Sequence, residues 1–424
     1  MHTRKQTVTV IRRARSAPGF DVREEVPDRG LDEEGTIVEP NKDPARQGKR
    51  ARRQVLHRRQ AAGAVLHGPF RGRAAPTSSL EDMTLRVTPC SDAASWNETV
   101  NRFRGHPQQL WGWGKTKAEH GWSVDRVLVR DDAGAVVGCA QVLLRALPFP
   151  FRALAYIPRG PQGEPGRELD VLDAVSGYVK TAHSAVALSI EPDWDDDGTL
   201  AAGLPGLGFR RSENTILIGR TLILDLRRSL EDLSGDMSKK HRQYIRKSGR
   251  EALVYRRVSR DEIAKCLEVY KLTARRADFG IHEDAYYLDI FDNLGEDSPV
   301  YAAFSGDDVV AFLWLSVSDY TSFELYGGMT EEGERLRANY ALKWHAITDM
   351  KERGIVRYDF NGLLNDGVSK FKMGWAKHED QLTGTWDKPL SPLYPVFATA
   401  LPLAKTGMRK ARAVVASLKG RLRR

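Results

Sequence analysis

Lys239, Arg242 and Arg246 recur at the three-to-four spacing that lines side chains up on one face of a helix, with Lys240 and Lys247 beside them. Such a face can follow the phosphates of a nucleic acid or of a lipid surface. It fits an ordinary solvated helix face equally well. The other chemistry-bearing residue types do not assemble by spacing. Cys90, Cys139 and Cys266 lie far apart without the pattern of a metal site, and their odd number argues for a reducing compartment rather than a disulfide framework. His241, His282, His345 and His378 have no ligand spacing and read as surface or structural residues. No Ser-His-Asp triad and no catalytic cysteine is evident.

The elements that must position these residues are written twice. Residues 126–142 and 300–314 are each two β-rich stretches around an Asp/Gly turn, the signal of a hairpin. After each comes an aromatic strand ending in glycine, at Tyr156-Ile157-Pro158-Arg159-Gly160 and at Leu325-Tyr326-Gly327-Gly328, and then a helix-length segment. Helices are expected near 91–103, 167–183, 237–250, 261–276 and 338–353, and further strands near 221–226 and 358–360. The chain thus reads as α/β, with two tandem acetyltransferase-like units of mixed sheet flanked by helices. That fold seats the pyrophosphate of coenzyme A on a glycine-rich turn opening a helix. Neither candidate turn has that character: Thr330-Glu331-Glu332-Gly333-Glu334 is acidic, and Pro161-Gln162-Gly163-Glu164-Pro165 is interrupted by proline. Dependence on coenzyme A is disfavoured.

With 424 residues, 41% of them hydrophobic, the chain is long enough for two cores. Its net charge of +9 sits at the ends: residues 1–82 hold 17 Lys/Arg against 11 Asp/Glu, and residues 405–424 hold 8 against none. The rest is slightly acidic, with 40 basic and 45 acidic residues. Basic ends suit tRNA, anionic lipid or both. Residues 1–82 lack apolar periodicity and read as a disordered extension or as a misannotated one ahead of a start at Met83. No apolar run reaches the roughly 20 residues of a spanning helix, and no secretory signal is evident, so a cytoplasmic location is expected.

A resemblance then becomes specific. Leu110-Trp111-Gly112-Trp113-Gly114-Lys115-Thr116-Lys117, Gly121-Trp122, Leu147-Pro148-Phe149-Pro150 and Tyr156 to Pro161 follow one another in order. So do Met237 to Lys247, Phe279-Gly280-Ile281-His282, Tyr287, Tyr326-Gly327-Gly328, Tyr358-Asp359-Phe360 and Lys370-Phe371-Lys372. In order and spacing these resemble the FemABX family, from residue 83 onward. Its members transfer amino acids from aminoacyl-tRNA to peptidoglycan precursors.

The resemblance implies roles for particular residues. Lys117 would meet the diphosphate of the acceptor, and Tyr287 and Tyr326 would present phenols to it. Glu283 departs from the pattern, because relatives can carry arginine four residues before the tyrosine; Arg276 is a substitute cation. Phe371 and Lys372 would serve the reaction itself, the ammonium facing negative charge that builds on the ester carbonyl oxygen. Lys239, Arg242 and Arg246 would contact tRNA or phosphate. An aminoacyl ester is already activated, so no cofactor or metal is implied.

The expected organisation is a first unit over 83–220, a second over 221–380, and a segment over 381–424 that returns a strand to the first unit before a basic tail. The short path from residue 250 to 301 implies a member without the helical arm. The expected partners are aminoacyl-tRNA, a peptidoglycan precursor (lipid II or UDP-MurNAc-pentapeptide) and, through the tail, the anionic inner membrane face. Two rivals stand beside this reading: an acyl-CoA N-acyltransferase acting on a small amine, and a non-catalytic binder of nucleic acid or membrane surface.

Overall fold

Asp131 organises the first hairpin turn: its carboxylate accepts from the Ala135 N–H at 2.9 Å, and Gly134 turns the chain at φ +82°. Gly306, at φ +61°, reverses the chain between Ser305 and Asp308 in the second. Both conformations suit a residue without a Cβ. The turns join Trp122–Arg130 to Val136–Ala146 and Val300–Ser305 to Asp308–Val317. The computed structural model describes residues 85–399, apart from 197, 278, 365 and 366. The expectations for residues 1–82 and for the basic run 405–424 lie outside the described residues.

Each hairpin belongs to a mixed sheet of the same design. The first runs Arg86–Pro89, Trp122–Arg130, Val136–Ala146, Ala153–Pro158, Ala185–Glu191, Trp386–Pro389, Arg210–Arg211. The second runs Val254–Arg257, Val300–Ser305, Asp308–Val317, Thr321–Met329, Arg357–Asp359, Ile223–Asp225. Along each order the neighbours are antiparallel except for one pair, Ala153–Pro158 with Ala185–Glu191 and Thr321–Met329 with Arg357–Asp359. A parallel pair needs a crossover, supplied by the helices Glu168–Ala182 and Ala338–Glu352. The place that Ile223–Asp225 fills in the second sheet is filled in the first by Trp386–Pro389. The chain therefore comes back to complete its first unit.

Glu191 secures that return. Its buried carboxylate accepts from Thr385 Oγ1 at 2.6 Å, from Tyr156 Oη at 2.5 Å, and from the N–H groups of Ile216 and Leu217 at 2.7 and 2.9 Å. A second tie is the ion pair of Arg357 with Asp193, at 2.5 and 3.2 Å. Burial raises the Asp193 pKa, but the pull of Arg357, His106 and Arg159 outweighs it and holds the carboxyl well below its usual range.

The second sheet is buried on both faces. Leu313, Leu315 and Tyr358 pack with Leu342 and Ile347 of the crossover helix, while Phe312, Trp314 and Phe323 pack with Leu267 and Ile290 of the helices Ile263–Ala277 and Asp284–Leu294. Trp113 of the first unit lies in the latter core, so the two units share it. Between 250 and 301 the described residues form these packed helices and no long paired arm. The helix Leu230–Asp236 precedes the one expected over 237–250, which runs Lys239–Ser248. Ser238 caps the second by accepting the His241 N–H, and this resets the chain direction between them.

Candidate active site

Strand Thr321–Met329 pairs with Arg357–Asp359 only from Thr321 to Phe323, and beyond that point the two diverge. The pairing with Asp308–Val317 skips Leu325, opposing Trp314 to Tyr326 and Leu315 to Glu324. This bulge turns Tyr326 to the same side as Phe323 and Leu325 and leaves Glu324 facing the crossover helix. One strand thus serves two clusters on opposite faces of the sheet.

On the crossover side stand Phe371 and Lys372, from the helix Gly367–Met373. Lys372 is buried, and its Nζ donates to the carbonyl oxygens of Asn361 at 3.3 Å and Gly362 at 3.1 Å. Asn361 holds that loop in place at φ +58°. Its N–H donates to Asp359 at 2.8 Å, its Oδ1 accepts from the Gly362 N–H at 2.6 Å, and its Nδ2 donates to the Glu324 carbonyl at 3.1 Å. The Phe371 ring lies 4.9 Å from that of Tyr340 and 5.4 Å from that of His241. Lys343 Nζ sits 5.1 Å above it and forms a buried ion pair with Glu324, which also accepts from Tyr358 Oη at 2.9 Å.

The basic helix adjoins this cluster. His241, on its buried side, reaches the Phe371 carbonyl through Nε2 at 2.8 Å and Ser238 Oγ through Nδ1 at 2.7 Å. A carbonyl only accepts, so Nε2 carries the proton. Burial, offset only in part by that bond, lowers the His241 pKa to about 4 and keeps the ring neutral near pH 7. Lys239 and Arg246 are exposed on the same helix. Arg242 Nη1 donates to the carbonyls of Ser234 and Met237, satisfying the end of the preceding helix.

The other face of the strand carries an aromatic cluster between the units. Tyr287 and Tyr326 meet edge to face at 5.0 Å, with Tyr270 5.6 Å from each and Trp314 6.0 Å from Tyr326. The Tyr287 hydroxyl accepts from the His282 N–H at 3.0 Å. Lys117 joins this cluster from the first unit. It is buried, bonded to the Tyr286 hydroxyl and 4.1 Å over the Trp113 ring, and burial pushes its ammonium well below the usual lysine range. Arg276 stands apart at the end of its helix, where it pairs with Glu334 at 3.5 Å. Among the described residues no group of three or more His, Cys, Asp and Glu gathers as a metal site.

Comparison with known proteins shows what this arrangement is similar to. A FemAB family model matches residues 200–306 and 305–401. Over that segment the chain is similar to the FemAB family. It is 24% identical over 390 residues to a lipid II:glycine glycyltransferase of Staphylococcus haemolyticus (strain JCSC1435), covering 70% of this chain and 93% of that one. A lipid II:glycine glycyltransferase of Staphylococcus aureus is 28% identical over 292 residues, and the match spans 65% of this chain and 64% of the relative. Among solved structures, that of FemX has a TM-score of 0.66 at 20% identity and covers 74% of this chain and 100% of its own. The likeness shows the fold.

Glu324, Lys343, Asn361, Tyr286 and the role of His241 are not among the residues expected from the sequence. One signal was present: Lys343 lies three and four residues before Ala346 and Ile347, on the buried stripe of its helix.

Proposed function

We propose that this chain transfers an amino acid from aminoacyl-tRNA to the free amine of a peptidoglycan precursor, extending an interpeptide bridge. The observation that carries the reading is the pairing of Phe371 and Lys372, held by His241 against a basic helix, in a family whose similar members here are lipid II:glycine glycyltransferases. The acceptor nitrogen attacks the ester carbonyl carbon, a C–N bond forms, the C–O bond to the tRNA ribose breaks, and the ribose oxygen leaves with a proton. Lys372 supplies the cation for the developing oxyanion, where a fixed charge favours the transition state over the ground state. Lys117, Tyr287 and Tyr326 bind the acceptor, and the exposed Lys239 and Arg246 contact the tRNA. The donor ester is the activated species, and no further cofactor takes part. The basic run 405–424 brings the protein to the anionic membrane surface where lipid-linked acceptor resides.

The test is to incubate the full chain with a panel of labelled aminoacyl-tRNAs and a lipid-linked precursor. Label recovered on the precursor peptide supports the reading and identifies the amino acid. Absence of transfer from every aminoacyl-tRNA, with transfer from an acyl-CoA, overturns it.

A further inference from the structure

Glu324 and Lys343 form an ion pair whose side chains are only 8% and 7% exposed, with nitrogen–oxygen distances of 2.7 and 2.8 Å. Desolvating two charges is costly, and an apolar pair of similar volume often stabilises a fold as well or better. The surroundings here are apolar: Lys343 Nζ lies 4.6 Å from the Phe360 ring and 5.1 Å from the Phe371 ring. Stability alone gives little reason for the pair.

Its connections lead to the reaction centre by two routes. Through Lys343 it carries the Phe371 ring, a cation on an aromatic face. Through the backbone it carries Lys372: the Glu324 carbonyl accepts from Asn361 Nδ2, and the Asn361 carbonyl accepts from Lys372 Nζ. Tyr358 completes the assembly by donating to the Glu324 carboxylate at 2.9 Å. Glu324 is also the first residue beyond the paired stretch of two diverging strands, so its strand has no ladder partner on that side there. The pair is neutral overall, so its field at a distance is weak, and its action is geometric.

We propose that Glu324 and Lys343 are positioning residues for aminoacyl transfer, which together set the Phe371 ring and the Lys372 ammonium in register with the donor ester. The proposal rests on the transfer reaction above. A displacement of about 1 Å at a reacting group can cost on the order of a hundredfold in rate.

The test is the double variant Glu324→Gln/Lys343→Met, which removes both charges and leaves neither buried alone. Measured with aminoacyl-tRNA and precursor, it should keep its thermal midpoint and both KM values while kcat falls by about a hundredfold. A purely structural pair would shift the midpoint and leave kcat of the folded protein intact. A folded double variant with kcat within about threefold of wild type overturns the proposal. If the double variant does not fold, Tyr358→Phe decides. It deletes one hydroxyl from the assembly and should lower kcat roughly fivefold, the effect of one typical hydrogen bond, with KM unchanged; wild-type kcat in this variant overturns the proposal. A wild-type enzyme that moves no aminoacyl group defeats the functional reading instead, so the two failures are distinguishable.

Discussion

His241 donates from Nε2 to the carbonyl oxygen of Phe371 across 2.8 Å and so ties the helix bearing the basic face to the helix bearing Lys372. That bond needs a neutral ring whose Nδ1 accepts from Ser238, and the fold lowers the His241 pKa from 6.5 to about 4.

The sign of the resulting pH dependence follows from linkage. Because the folded state prefers the neutral ring, the contribution of His241 to stability is complete above the ordinary histidine pKa of about 6.5 and is lost as pH falls toward 4. Thermal midpoints of wild type and His241→Gln, compared at pH 7 and pH 5, should converge at the lower pH. A constant difference between them contradicts this assignment.

Gly112 lets the helix Trp111–Glu119 of the first unit touch the helix Asp284–Leu294 of the second. A Cβ there would lie 2.3 Å from the Asn293 carbonyl oxygen. Gly112→Ala must push the helices apart at a cost of about 1–3 kcal/mol. Denaturant titration should show that loss, and the KM for acceptor should rise because Lys117 rides on the same helix. An unchanged unfolding midpoint refutes the close-contact argument.

Lys117 is an ammonium kept in an aromatic setting that disfavours its charge. Lys117→Met should leave the thermal midpoint unchanged or raise it, while the acceptor KM increases by about tenfold or more, the loss of one charge-assisted contact. Steady-state kinetics with each substrate varied in turn checks this. An increase in the donor KM alone would reassign the residue.

Much of this was legible in the chain. Both hairpins declared themselves through Asp131-Asp132-Ala133-Gly134 and Ser305-Gly306-Asp307-Asp308, because reversal of a strand demands particular backbone freedom that few residues offer. The tandem α/β character followed from their repetition. The Glu324–Lys343 pair was not legible: nineteen positions separate its partners along the chain, and only the crossover helix brings them together. The surroundings of Lys117 were hidden too, since Tyr286 comes to it from 169 residues away. Arg242 shows the converse limit, for helical spacing marked it as one of a basic face but gave no sign of the carbonyls from Ser234 to Met237 that engage it.

The basic run from Lys405 to Arg424 lies outside the described residues, and its proposed membrane role stands on sequence. Eight cations without an acidic neighbour, each contributing about 1 kcal/mol at an anionic surface, predict reversible and salt-sensitive attachment. Sedimentation with anionic liposomes should be strong for the full chain and weak for one ending at Ala404. Equal sedimentation of both counts against the role.

The most direct measurement is aminoacyl transfer by Lys372→Met, which keeps the length and apolar stem of a buried side chain and deletes its charge. Lys377→Met is the control, since Lys377 is exposed and paired with Asp236 at 3.0 Å. Transfer from aminoacyl-tRNA to lipid-linked precursor should fall by about a hundredfold or more in Lys372→Met, the loss expected for an oxyanion-stabilising group of about 2.7–4 kcal/mol. The thermal midpoint should fall only slightly, through loss of the bonds to the Asn361 and Gly362 carbonyls, and the control should transfer normally. A folded Lys372→Met that transfers at nearly the wild-type rate contradicts the account.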